Sequence, residues 1–189
     1  GGLGTTPGRD PGGAGAGEGA PKVDLALTAE ERARASELAG RIGGDGPLVA
    51  LAPFSSRLRA WKRYPVERWR EVACALARHG ATVLLIAGPG EEREAHELAA
   101  RCGEGVKVSE GIGLRDLAAL LERCALLIGG DTGPMHMAWG VGTRVLALYG
   151  PTDPVLNTPV GDGHAWLAPP ERTRRDAPDK FPGIGAERV

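Results

Sequence analysis

Ala125-Leu126-Leu127-Ile128-Gly129-Gly130-Asp131-Thr132-Gly133-Pro134-Met135-His136 runs from four apolar residues through a glycine turn with one acid into a proline-started segment that continues as Met137-Ala138-Trp139. This is the pattern of a strand feeding a helix. Glycines let the backbone come close to a bound group, and the first free N–H groups of a helix attract anions such as phosphate. The stretch therefore reads as a β-to-α turn built to hold a ligand.

Working outward, short apolar runs alternate with amphipathic stretches. Residues 48–52, 82–87, 106–109, 125–128 and 144–149 read as strands, and Trp166-Leu167-Ala168 as a short further one. Thr28 and Glu31 form a capping box for a helix reaching Ile42, which Gly43, Gly44 and Gly46 stop. After Pro65, Trp69, Val72, Ala73 and Leu76 recur at i, i+3, i+4 and i+7, one apolar face of a 3.6-residue period. Ala95, Leu98, Ala99 and Cys102 repeat the spacing, as do Leu114, Leu117, Ala118 and Leu121. Parallel strands need helical crossovers that bury both sheet faces, so this alternation predicts an α/β, doubly wound parallel sheet of Rossmann-like type.

The 189 residues carry 23 basic and 24 acidic side chains, a formal net charge of -1. That balance leaves no footprint for nucleic acid or for an anionic membrane surface, so any anionic ligand must be met locally. No apolar run approaches the ~18 residues of a membrane span, and no signal segment opens the chain. Cys74, Cys102 and Cys124 lack C-x-x-C spacing and read as reduced packing residues. The expected compartment is the cytoplasm. Residues 1–20, rich in glycine and small residues, read as a flexible linker or disordered arm, which suggests that a further segment once preceded it. Residues 21–168 then form the domain and 169–189 a loop or truncated tail, whose last five residues look like the first turn of a helix.

Ligands in such sheets bind beyond the carboxyl ends of the strands. The loops there are 53–64, 88–92, 110–113, 129–136 and 150–153. Ser55 and Ser56 with Lys62 suit a phosphate or diphosphate, or else serve as turn residues and a solvated charge. Glu91 and Glu92 open a helix and favour its dipole, or one of them accepts hydrogen bonds from a ribose diol. Asp131 is a helix cap or a ligand-holding acid beside the Thr132 hydroxyl and the Gly133 amide, and His136 points to the same space or is an ordinary helix-face histidine. Gly150, Thr152 and Asp153 repeat the pattern of glycine, hydroxyl and acid, or else serve as turn residues, and the five loops together fit nucleotide binding better than any one alone. No Ser-His-Asp order, H-E-x-x-H or Walker A lysine motif is present, and His79, His96, His136 and His164 are too dispersed to suggest a metal.

Asp131-Thr132-Gly133-Pro134-x-His136-x-Ala138, followed by Val145-x-Ala147-Leu148-Tyr149-Gly150-Pro151-Thr152-Asp153-Pro154, resembles the family 9 glycosyltransferases, which include the ADP-heptose:lipopolysaccharide heptosyltransferases. Lys62-Arg63-Tyr64-Pro65-x-x-x-Trp69 is similar to that family's Lys-Arg-Trp-Pro segment, with Tyr64 in place of the usual Trp and a longer insertion, Arg57 to Trp61, ahead of it. The resemblance covers roughly residues 21–189 and implies the carboxyl-terminal, donor-binding half of a two-domain GT-B enzyme. It implies that Ser55, Ser56 and Lys62 contact the donor phosphates, that Thr132 and Gly133 cradle the diphosphate, and that Asp131 holds sugar hydroxyls. His136 would lie beside the phosphates, Glu91 or Glu92 would hold the ribose, and Ile112 would lie near the adenine.

The implied reaction is heptosyl transfer from an ADP-sugar, with inversion, to a lipopolysaccharide core or similar glycan. Such chemistry needs a base for the acceptor hydroxyl and positive charge or amide dipoles for the departing diphosphate. Lys62 and Asp131 are the expected catalytic contributors of this chain. The base is expected on an absent amino-terminal domain, which would also carry the acceptor and any peripheral membrane association, so the polypeptide alone is expected to be nearly inactive. No metal or other cofactor is expected. The alternatives are a non-catalytic nucleotide-sugar binding module and a GT-B transferase using another nucleotide sugar.

Overall fold

The computed structural model of the chain describes residues 6–8 and 25–189. The arm expected over residues 1–20 lies outside the described residues except at Thr6–Gly8, which form a strand, β1. In chain order the remaining elements are α1 (Ala29–Ile42), β2 (Leu48–Ala52), α2 (Val66–Arg78), β3 (Thr82–Ile86), α3 (Glu92–Ala100), β4 (Val106–Ser109), α4 (Leu114–Glu122), β5 (Leu126–Gly130), α5 (Gly133–Gly140), β6 (Val145–Leu148), α6 (Pro154–Asn157) and β7 (Ala165–Ala168). Two 3-10 turns, Arg57–Lys62 and Ala186–Arg188, complete the set.

The sheet order is β1-β7-β6-β5-β2-β3-β4, with β2 to β7 mutually parallel and β1 antiparallel on the β7 edge. The chain builds outward from β2 through β3 to β4, then returns to β5 on the other side of β2. Strands β2 and β5 are thus neighbours whose following segments leave in opposite directions, the switch point at which open α/β sheets form a crevice.

Each strand divides its side chains between two cores. Ala50, Leu84, Leu127, Val145 and Ala147 face α1, α4 and α5, while Val49, Leu51, Val83, Leu85 and Ile128 face α2, α3 and the carboxyl-terminal segment. Both faces are covered, which is why the strands read as continuous apolar runs rather than alternating ones. Fully buried leucines such as Leu51, Leu85 and Leu127 each contribute about 1.5–3 kcal/mol relative to exposure.

The capping box at Thr28 and Glu31 forms as expected: Thr28 Oγ1 accepts from the Glu31 N–H at 3.2 Å, and Glu31 Oε2 from the Thr28 N–H at 2.7 Å. Glu31 also receives Arg115 of α4 through Nε at 2.7 Å and Nη2 at 2.8 Å. One carboxylate therefore caps α1 and clamps it to α4.

The reduced-thiol expectation is corrected for two of the three cysteines. Cys74 on α2 and Cys102 just after α3 are joined by a disulfide, with Cα atoms 4.9 Å apart. Sequence separation hid this, because only the packing of α2 beside α3 brings the two positions together. Cys124 is the free, buried thiol, and burial pushes its pKa up to about 12.

Residues 169–189 are largely irregular, yet they are packed. Phe181 and Ile184 are buried in the α2 face, edge-to-face contact joins Phe181 to Tyr64 at 5.2 Å, and the Tyr64 hydroxyl donates to Ile184 O at 3.0 Å. Arg68 of α2 donates to Phe181 O at 2.9 Å and pairs with Asp179 at 3.0 Å. The tyrosine that replaces the usual tryptophan thereby becomes an anchor for this segment. Gly150, after β6, admits it: a Cβ there would collide with Lys180 O and meet the Phe181 ring at 3.1 Å.

Arg115 first, and the Thr28 N–H second, hold the Glu31 carboxyl at about 2, against an ordinary value of 4.5. A depressed carboxyl stabilises the fold above its unfolded pKa and loses that contribution as pH falls through the folded one. Glu31→Gln is expected to lower Tm at pH 7 and to flatten the decline of Tm between pH 4.5 and 2, an unchanged slope showing that the pairing adds no stability. Gly150→Ala is expected to cost about 1–3 kcal/mol in urea unfolding, the range for overpacking a filled site.

Candidate functional site

Four loops at the carboxyl end of the sheet build the site, the one before α4 contributing Ile112. Beyond β2, Pro53-Phe54-Ser55-Ser56 leads into the 3-10 turn. The Ser55 hydroxyl donates to Arg59 O at 3.0 Å, and the Arg59 N–H to Ser56 O at 2.8 Å, so both serines help set the turn. Arg63 then fastens the loop outward, donating through Nε to Ser55 O at 3.1 Å while its Nη atoms reach Glu94 at 3.0 Å and Glu91 at 3.5 Å. At the start of α3, Glu91 Oε2 accepts from the Gly88 N–H at 2.9 Å, and Glu92 lies within the helix.

The turn itself delivers Lys62 across the crevice. Its Nζ lies 2.7 Å from Asp131 Oδ2, with each side chain only 10% exposed. His136, on the first turn of α5, places Nε2 3.4 Å from the other carboxylate oxygen. His136 and Lys62 together hold the Asp131 carboxyl below its ordinary range, against the opposing effect of burial. Asp131 is therefore no helix cap. Thr132 occupies that position, and its hydroxyl donates back to Gly130 O at 3.4 Å rather than to the helix. No side chain caps α5, and its first turn is left to face the crevice. Gly129 is required for the close approach of β5 to β2, since a Cβ there would sit 3.0 Å from Ala52 Cβ.

Ser55, Ser56, Lys62, Glu91, Ile112, Asp131, Thr132, Gly133 and His136 all line one cavity of about 480 Å³. Its ionic end lies by β5, at Lys62 and Asp131, and its apolar end lies by β3 and α4, at Ile86, Ile112 and Leu117. The fifth loop does not join it. Thr152 and Asp153 line a neighbouring cavity of about 500 Å³, and Asp153 caps α6 by accepting from the Val155 N–H at 2.9 Å, the turn chemistry open to it from sequence. His79 and His96 are bound to Ala75 O and Glu110 on the outside of the domain. Sequence reasoning missed Phe54 and Arg59 as cavity residues, although the first lies two residues past the end of β2 and the second falls in the insertion. Among the described residues, no group of three or more His, Cys, Asp or Glu is placed to hold a metal ion, and no helix is long and apolar enough to cross a membrane.

The strand order, the crevice at the switch point and an uncapped helix start beside a largely shielded lysine define an open, doubly wound α/β domain. Residues 14–178 match glycosyltransferase family 9 (heptosyltransferase), and the chain belongs to that family. It is 35% identical over 99 residues to lipopolysaccharide heptosyltransferase 1 of Escherichia coli K12, an alignment covering 50% of this chain and 30% of that one. The glycosyl transferase family 9 structure from Veillonella parvula superposes with a TM-score of 0.77 at 26% identity, covering 87% of this chain and 50% of the other. The Escherichia coli heptosyltransferase WaaC with ADP gives a TM-score of 0.63, also at 26% identity, over 81% of this chain and 45% of that one. The chain thus spans about a third of the curated relatives' length and about half that of the solved chains.

The cation beside Asp131 favours its ionised form, so removing that cation must raise the pKa. In Lys62→Met, the Asp131 carboxyl carbon followed by NMR is expected to titrate at higher pH than in the parent, and an unmoved midpoint would show that Lys62 does not carry the pair.

Proposed function

We propose that this chain is the donor-binding half of an inverting heptosyltransferase that transfers heptose from an ADP-sugar to a lipopolysaccharide core or similar glycan, with the cytoplasm as its compartment. The carrying observation is that residues from four separate loops, between Ser55 and His136, converge on one cavity with a lysine beside an uncapped helix start.

In this reading the adenine lies against Ile112 and the ribose diol donates to Glu91, whose orientation Gly88 and Arg63 fix. The diphosphate rests on Thr132 and Gly133, beside His136 and Ser56. Lys62, 2.7 Å from Asp131 without ligand, shares its charge with the phosphates when donor arrives, and Asp131 takes sugar hydroxyls. As the acceptor hydroxyl attacks the anomeric carbon, the bond to the diphosphate breaks. Lys62 and the Gly133 N–H then meet the charge that grows on the leaving group, since Pro134 has no N–H and the Met135 and His136 N–H groups are bonded to Thr132 O. The general base is assigned to a companion amino-terminal half, which holds the acceptor. The assignment meets the leaving charge with a lysine and backbone dipoles, and it calls on no metal.

Calorimetry with ADP, UDP and GDP tests the donor: ADP is expected to bind most tightly, and equal affinities would remove the basis for an ADP-sugar. A hydrogen bond to a charged group contributes about 1.5–3 kcal/mol, roughly tenfold or more in affinity. Lys62→Ala is therefore expected to weaken ADP at least tenfold while changing adenosine less than threefold, and equal losses would overturn the role. Glycosyl transfer on adding a separately expressed amino-terminal half is expected, whereas persistent inactivity would mark a binding module.

A further inference from the structure

Beyond the Lys62–Asp131 pair lies the second cavity of about 500 Å³, which the donor reading leaves without an occupant. The two cavities share Arg59, Lys62 and Asp131 as a common wall. On the far side stand Arg172 and Arg175 from the packed carboxyl-terminal segment, and Trp61 from the 3-10 turn.

The charge of this lining is unbalanced. Arg59, Lys62, Arg172 and Arg175 face two carboxylates, Asp131 and Asp153. Lys62 takes Asp131 at 2.7 Å, whereas Arg172 reaches Asp153 only at 3.9 Å with its own side chain 62% exposed. Arg59 and Arg175 have no carboxylate partner among the described residues. Arg175 instead lies 4.1 Å from the Trp61 ring centroid, a cation–π contact that orients the guanidinium without neutralising it. Guanidinium groups present donors in a planar fork that matches a carboxylate or a phosphate. Leu58, 92% exposed, and Leu156, 80% exposed, border the same space and offer apolar surface to the body of a ligand.

We propose that this second cavity is an anion subsite, in which Arg59, Arg172 and Arg175 hold a carboxylate or phosphate group borne by the sugar acceptor, next to the ionic end of the donor cavity. A donor sugar is neutral, so its hydroxyls, although they accept hydrogen bonds from guanidinium groups, leave the excess of two positive charges uncompensated. An anionic acceptor uses that excess, and its position across the Lys62–Asp131 wall brings its hydroxyls toward the bond that breaks. The proposal rests on the donor reading for its meaning in transfer, but its binding test does not.

The test uses the 189-residue chain with and without saturating ADP, titrated with glucose 6-phosphate, glucuronate and glucose, and followed by NMR at the Trp61 indole. At least one anionic sugar is expected to bind tenfold or more tightly than glucose, the tighter of the two identifying the acceptor group as phosphate or carboxylate. Arg172→Gln with Arg175→Gln is expected to lose that binding at least tenfold and to keep ADP affinity within twofold, while the double lysine variant recovers part of it. Leu58→Glu, at an exposed position that cannot disturb the core, is expected to weaken the anionic sugar by adding a like charge at the rim. Equal binding of glucose, or retention of the anionic sugar by both the double glutamine and the Leu58→Glu variants, overturns the subsite. Failure of ADP to bind overturns the donor reading instead and leaves the sugar comparison standing.

Discussion

The parallel pairing of β2 with β5, Val49 against Leu126 through Ala52 against Gly129, is the constraint on which the site depends. It places two strand ends side by side that are 77 residues apart in the chain. From Ala52 the backbone turns through the 3-10 segment toward α2, and from Gly130 it turns into α5 on the opposite face. The space between these departures is the crevice. Gly129 is the price of the close pairing, because any side chain there would press on Ala52.

Across that crevice the sequence-distant Lys62 and Asp131 meet at 2.7 Å, largely shielded from water. Such a pair gives up much hydration, and its attraction offsets this only where further hydrogen bonds complete both groups. Here the second oxygen of Asp131 faces His136 at 3.4 Å, and Lys62 Nζ lies 3.5 Å from Asp131 O. These are long contacts. The pair is therefore held but not saturated, which suits groups whose proposed work is to exchange partners with an arriving diphosphate and sugar. It also divides the crevice into the two cavities that share it as a wall.

Much of this was legible in sequence. The helix starting after Thr28 was fixed by a local hydrogen-bond pattern, and α2, α3 and α4 by the 3.6-residue recurrence of apolar side chains. Of the residues named from the loops, Ser55, Ser56, Lys62, Glu91, Ile112, Asp131, Thr132, Gly133 and His136 line the cavity while Glu92, Thr152 and Asp153 do not, because the rule that ligands lie beyond parallel strand ends acts through topology and does not say which side chains turn inward. The Cys74–Cys102 bond was not legible, since no local pattern says which helix faces will touch. Nor was the burial of Phe181 and Ile184, which follow a charged, proline-containing stretch with no periodicity to mark them as core.

By itself, then, the sequence determined strands β2 to β7, helices α1 to α5 and the family resemblance, because these depend on neighbours a few residues apart, whereas β1, α6 and the extension of β5 through Gly129 and Gly130, expected as a turn, depend on pairing and packing. Tertiary structure alone decided what Asp131 does. From sequence it could cap a helix or hold a ligand, and only the folding of β2 beside β5 brings Lys62 to it and leaves Thr132 as the cap residue. Tertiary structure likewise decided that the last twenty residues carry Arg172 and Arg175 to the far side of that pair. Charges so far apart in the chain meet only when packing brings their segments together.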